Sequence, residues 1–234
     1  MKPSPSSVTS EIAFVLDRSG SMNSMRQAAI DGFNEFLLGQ QQTLDNEGRP
    51  LPADFTLILF DHEYLPAVQR QPIAAVKPLT HETFQPRGNT ALLDAIGRTI
   101  DELGAKLAAM PESDRPQKVI VAILTDGHEN SSRHYSLGDV HEKIRHQTEV
   151  YAWEFLFLAA NQDAIAAASA MGIESHKVSN FTANEEDMRY LQQSVSEKIS
   201  AMRKFSAKVA LDDCEAAALE ESMSETLERK RRKK

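Results

Sequence analysis

Three oxygen-bearing side chains, Asp17, Ser19 and Ser21, stand at alternate positions in EIAFVLDRSGSMNSM, residues 11–25, directly after an apolar run. On one tight turn such oxygens can converge on a single point. A carboxylate with two hydroxyls suits a hard cation such as Mg²⁺ or Mn²⁺. The same residue types also serve as helix N-caps, accepting the orphan N–H groups of a first turn. Taken alone, the segment supports both uses. A second carboxylate, Asp126, ends the run KVIVAILT, and a third hydroxyl, Thr90, stands just ahead of a helical pattern.

These groups need particular elements to bring them together. The run 12–16 has the length of a buried strand and passes straight into turn residues. Met25, Ala29, Phe33, Phe36 and Leu37 recur at helical spacing within 24–40, which predicts an amphipathic helix with one buried stripe. A second strand is expected at 55–60, ending in Asp61, His62 and Glu63. Strand, helix and strand form a crossover unit and so a parallel pair. The prolines in 64–77 limit that segment to a short edge strand.

After Thr90, the residues Leu93, Ile96, Ile100, Leu103 and Leu107 mark a helix. Residues 118–125, continuous and β-branched, form the clearest buried strand, closed by Asp126-Gly127. A helix over 137–147, a strand over 150–158 and a helix over 162–171 stopped by Gly172 continue the alternation. A short strand near Lys177 follows. A last helix from Ala183 carries Met188, Leu191, Val195, Ile199, Met202 and Val209 in a stripe long enough to pack on the domain and project past it. The alternation predicts one Rossmann-like, doubly wound α/β sheet, mostly parallel, with helices on both faces.

In such a sheet ligands sit outside the carboxyl ends of the strands, at the switch point in strand order. If the strands ending at Asp17 and Asp126 are neighbours, both carboxylates and the hydroxyls of Ser19 and Ser21 face one crevice. Thr90 then stands on its rim. Two carboxylates and three hydroxyls would surround one octahedral cation, with room for water and an external ligand. Asp61, His62, Glu63, Asn161 and Gln162, which follow other strands, are expected on the same rim as specificity residues.

Composition narrows the classes. A chain of 234 residues can hold one large domain; here residues 1–9 read as a flexible N-terminus, 10–209 as the domain and 210–234 as a charged helical or disordered tail. A net charge of −8 and a pI near 5.4 argue against a general nucleic-acid binder. The exception is the basic run 229–234, which could touch nucleic acid, acidic lipid or an acidic partner, or pair in cis with the acidic helix before it. The single cysteine, Cys214, cannot form an internal disulfide, so a reducing compartment is the natural setting. No apolar signal segment opens the chain, and the longest apolar stretch, VYAWEFLFLAA, is broken by Glu154 and too short to span a bilayer. A cytoplasmic protein without a membrane span is expected.

The pattern Asp17-x-Ser19-x-Ser21 after the first strand, Thr90 in a Gly-x-Thr loop before a helix, and Asp126-Gly127 after a central strand resemble the von Willebrand factor A (VWA) domain. The likeness covers roughly residues 8–205. It implies a complete metal-ion-dependent adhesion site (MIDAS) at Asp17, Ser19, Ser21, Thr90 and Asp126, and a sheet order 3-2-1-4-5-6 with a short antiparallel edge strand. It further implies one divalent cation, Mg²⁺ or Mn²⁺, that takes an Asp or Glu from a protein partner. Stand-alone bacterial cytosolic domains of this kind suggest an adaptor or regulatory role beside an ATPase or a stress-response protein.

The rival is a metal-dependent phosphatase or hydrolase of Rossmann-like fold with Asp17 as nucleophile. Such enzymes place a second carboxylate two residues on, where this chain has Ser19. No complete catalytic motif is found, and the chain is read as a non-enzyme. His128 or Glu129 would be the available base for metal-assisted hydrolysis.

Overall fold

The run KVIVAILT becomes β4 (Lys118–Thr125), flanked on both sides by parallel strands: β1 (Ser10–Asp17) and β5 (Glu154–Ala159). The computed structural model of the protein describes residues 10–160 and 164–232. β2 (Ala53–Phe60) lies parallel to β1 on its other side, β3 (Tyr64–Pro72) pairs antiparallel with β2 at one edge, and β6 (Val178–Asn180) closes the other. The order is β3-β2-β1-β4-β5-β6, as the resemblance implies.

Successive strand residues point to opposite faces, and β1 divides accordingly. Ile12, Phe14 and Leu16 join one core with helices α1 (Arg26–Gln41), α5 (Glu185–Ser206) and α7 (Met223–Arg232). Phe14 meets Phe33 edge-on at 5.6 Å and Phe36 at 4.9 Å between ring centres, an arrangement that adds to plain area burial. Ala13 and Val15 face the second core with α2 (Leu92–Ala108), α3 (Leu137–Tyr151) and α4 (Ala164–Ala170). Both faces of β1 and β4 are therefore dry, and only their ends can meet a ligand.

Several elements differ from the expectation. β3 runs nine residues despite its prolines. It is an edge strand, where proline is tolerated, and two register shifts interrupt its pairing with β2. Arg70 sits there at φ 43° and reaches the buried carboxylate of Glu11 and that of Asp54, each at 2.7 Å. Residues 150 and 151, expected in a strand, finish α3 with exposed side chains; the chain turns at Ala152, φ 53°, before Trp153 enters the core. Glu154, the charge that interrupts the apolar stretch, is held by Lys118 and Lys177, each at 2.8 Å.

The last long helix does not project past the domain. α5 ends at Ser206, and α6 (Asp213–Glu220) and α7 fold back against it, with Met223 and Leu227 in the main core. The first three residues of the basic run pair in cis: Arg229 meets Glu197 and Glu221, Lys230 meets Glu197, and Arg231 meets Asp187 and Glu228, while residues 233 and 234 lie outside the described residues. Paired charge is poorly placed to neutralise phosphates. Among the described residues no helix is long and apolar enough to cross a membrane.

Candidate functional site

β1 ends at Asp17, fully buried, and the chain then turns through Ser19 into a 3₁₀ turn, Gly20–Met25, that leads into α1. Ser19 has the extended backbone of an N-cap, yet its side chain makes no cap hydrogen bond. The hydroxyl faces Ser21 instead, with 3.1 Å between the two oxygens. Ser21 Oγ donates to Asp126 Oδ1 at 2.7 Å. Asp17 accepts from Ser19 N–H and from Thr125 Oγ1, both at 2.6 Å. The strands ending at Asp17 and Asp126 are neighbours, so the switch point lies between them.

Thr90 arrives from the other side, held by two loops. Its N–H donates to Asn130 Oδ1 and its carbonyl accepts from Asn130 N–H, at 2.9 and 3.1 Å. The next N–H, of Ala91, donates to the Asp61 carbonyl at 2.9 Å. Gly88 is needed two residues earlier: at φ 66° an added Cβ would strike the His62 ring, while its carbonyl accepts from Gly20 N–H at 3.0 Å. Gly127 shows where the oxygens converge. A Cβ there would lie 3.0 Å from Thr90 Oγ1, 3.6 Å from Ser21 Oγ and 3.8 Å from Asp17 Oδ2. Asp17, Ser21 and Thr90 thus face one cradle beside Gly127, and Ser19 and Asp126 join it through the Ser21 hydroxyl.

The electrostatics of the cradle are unusual. Burial pushes the Asp17 carboxyl up to about 6, with the Thr125 and Ser19 hydrogen bonds opposing and the Asp126 charge adding. Burial raises Asp126 as well, opposed by Ser21. No cationic side chain among the described residues favours ionisation of either. Two part-desolvated carboxylates beside three uncharged hydroxyls make a donor set short of positive charge.

The rim differs in part from the expectation. His62 and Glu63 are exposed there, but Asp61 is buried and fixes loops, pairing with Arg18 and Arg87 at 3.0 Å each. Asn161 and Gln162 lie outside the described residues. Glu129 is spent on structure: it accepts from Leu93 N–H, from Ser131 and Ser132 N–H, and from Ser132 Oγ, at 2.7–2.9 Å. It caps α2 from a distant loop, a role that its lone occurrence in a polar stretch does not signal. Glu129→Ala is expected to cost about 1–2 kcal/mol in urea unfolding, as lost caps do; an unchanged midpoint would count against that role. Thr125 and Asn130, which orient Asp17 and Thr90, are likewise invisible to spacing rules.

No family model and no curated protein matches the chain. Solved structures do. Proximal thread matrix protein 1 from the mussel byssus, with a zinc-occupied MIDAS motif, superposes with a TM-score of 0.57 at 14% identity, over 81% of this chain and 48% of that one. A von Willebrand factor type A protein from Catenulispora acidiphila gives 0.53 at 15% identity, over 83% and 43%. Manganese-loaded TRAP protein of Plasmodium vivax gives 0.50 at 13%, over 77% and 71%. The chain spans about half the length of the first two. The mostly parallel six-stranded sheet, its order and these likenesses together give the chain the von Willebrand factor A fold.

Proposed function

We propose that Asp17, Ser19, Ser21, Thr90 and Asp126 hold one divalent cation, Mg²⁺ or Mn²⁺, as a complete MIDAS, and that the site binds an acidic side chain of a protein partner. The observation that carries this reading is the cradle beside Gly127, where oxygens from the turn after β1 and from Thr90 approach one point and Ser21 ties in Asp126. A divalent cation there would supply positive charge and an open position for an anionic oxygen. Asp17 and Asp126 supply the balancing charge, and the three hydroxyls, being neutral, leave part of it uncancelled. The zinc and manganese of the two structures named above support a divalent ion. The setting that fits is bacterial and cytoplasmic, with the domain as an adaptor or regulator for an ATPase or stress-response protein.

The hydrolase reading has less to draw on. Both oxygens of Asp17 accept hydrogen bonds, and Glu129 is fully engaged as a cap. Phosphate release from a phosphomonoester with Mg²⁺, lost in Asp17→Asn, would revive it.

Thermal unfolding in chelator, then with Mg²⁺ and Mn²⁺, tests the site. Ligand at 100 times its Kd adds about 2.7 kcal/mol, a rise of about 5–10 °C for a chain this size. Gly127→Ala is expected to abolish that rise, because its methyl would occupy the cradle 3.0 Å from Thr90 Oγ1, while lowering metal-free stability by only about 1 kcal/mol. No rise for the wild type at millimolar metal would end the cation reading.

A further inference from the structure

Asp61 follows β2 and is not among the five candidate ligands, yet its carboxylate is fully buried. Its Oδ2 lies 3.0 Å from both Arg18 Nε and Arg87 Nε. Its Oδ1 accepts from Glu63 N–H at 2.6 Å and stands 3.3 Å from His62 Nδ1. The two arginines come from different parts of the chain. Arg18 stands between Asp17 and Ser19, and Arg87 stands in the loop that leads to Thr90. The backbone repeats the link: Arg18 N–H donates to the Phe60 carbonyl at 2.7 Å, Arg87 N–H to the Arg18 carbonyl at 2.8 Å, and Ala91 N–H to the Asp61 carbonyl at 2.9 Å. Turn, strand end and loop are knitted around one carboxylate. The Arg18 side chain is 9% exposed and that of Arg87 49%, so the clasp runs from the interior to the rim, where Glu63 meets Arg87.

We infer that Asp61 is a positioning residue for the cation, clamping the turn that carries Asp17, Ser19 and Ser21 to the loop that carries Thr90. The inference rests on the cation reading above. Thr90 reaches the cradle from a segment of its own, so the gap between its hydroxyl and the turn after β1 depends on what ties the two together. A small divalent cation tolerates little error in that gap, since it demands near-ideal ligand geometry. Loss of a partner that orients a metal ligand costs about 10–100-fold in metal affinity.

Calorimetric titration of the full chain with Mn²⁺, well below its melting temperature, tests this. Asp61→Asn is expected to weaken binding by about 10–100-fold. Arg87→Gln, altered at a half-exposed position, separates positioning from charge. Removing a positive charge near the site would by itself strengthen cation binding, whereas a loosened clasp weakens it. The double variant should bind no worse than Asp61→Asn alone, because Arg87 acts through Asp61. Arg203→Lys, altered on α5 where it bonds to Gln40 at the far end of α1, should melt lower and keep the wild-type affinity. Unchanged or tighter binding by Arg87→Gln, or wild-type affinity in Asp61→Asn, overturns the clasp and spares the cation reading. If Asp61→Asn does not fold, Arg87→Gln decides alone. An equal loss of affinity in Arg203→Lys makes the effect one of stability and also overturns the clasp. No Mn²⁺ binding by the wild type overturns both.

Discussion

Asp17→Asn is expected to erase the metal-dependent rise in melting temperature while leaving the metal-free protein about as stable as wild type at pH 8. The expectation follows from what Asp17 costs when no cation is near. Its carboxyl is pushed from 3.8 up to about 6, chiefly by burial, so the fold favours the protonated form. The stability this gives is fully present below about pH 4 and is lost as pH rises through about 6. At about 1.4 kcal/mol per pK unit, roughly 3 kcal/mol has gone by pH 8. Glu11, raised by burial from 4.5 to about 7 at the opposite end of β1, loses its share over a slightly higher range. Asp94, lowered by three backbone N–H groups, acts only in more acid solution, outside this window.

Asparagine removes the charge and keeps the volume, but its amide cannot accept from both Ser19 N–H and Thr125 Oγ1. That mismatch costs about 1–3 kcal/mol, which offsets the relief. Urea unfolding in chelator at pH 5 and pH 8 should therefore show wild type losing more stability with rising pH than the variant. Mg²⁺ then restores wild type alone. The wild-type gain from metal should itself shrink below about pH 6, where protons compete for Asp17. A variant that still gains several degrees from Mg²⁺ would remove Asp17 from the site. One that unfolds in chelator at pH 8 would make its role structural.

Arg203→Ala should cost about 3–5 kcal/mol, a large share of the 5–15 kcal/mol that holds a typical domain folded. Arg203 is fully buried on α5, donating to the Gln40 carbonyl and Gln40 Oε1 at 2.9 Å and to the Leu51 carbonyl at 2.7 Å. Burial lowers its pKa from 12.5 to about 10, so it stays charged at neutral pH. The Gln40 carbonyl belongs to the last turn of α1, where the helix dipole favours a cation. Alanine would strip the guanidinium from Gln40 Oε1 and the Leu51 carbonyl and leave a cavity. Arg203→Lys keeps the charge but not the fork, so it should recover only part of the loss. Urea midpoints of the three proteins measure this, and a loss below about 1 kcal/mol for alanine would contradict it.

Much of the candidate site was legible because its oxygen-bearing side chains sit where local pattern is strongest. A strand buried on both faces reads as an unbroken apolar run, and the residue after it must be polar because it meets water; that is how Asp17 and Asp126 declare themselves. Thr90 is marked by the helix that follows it. The boundaries that went astray have an opposite cause. Val150 and Tyr151 look like strand residues, but both are solvent-exposed at the end of α3, and side-chain type alone does not distinguish the two settings. The end of α5 was misplaced because Val209 extends its apolar stripe in sequence, whereas the chain has already turned at Lys208, φ 57°.

The amino-acid order by itself determined the alternation of strands and helices and the two-faced core, and it singled out five candidate oxygens, since each depends on residues within a few positions of one another. Tertiary structure decided the rest. The Thr125 bond that orients Asp17 spans 108 positions, and the bond from Arg203 to Gln40 spans 163. Contacts of that range exist only once strand order has placed β4 beside β1 and packing has laid α5 on α1. The same holds for the Asp61 clasp, the Glu129 cap and the return of the basic helix onto α5: each pairs groups that no local period relates.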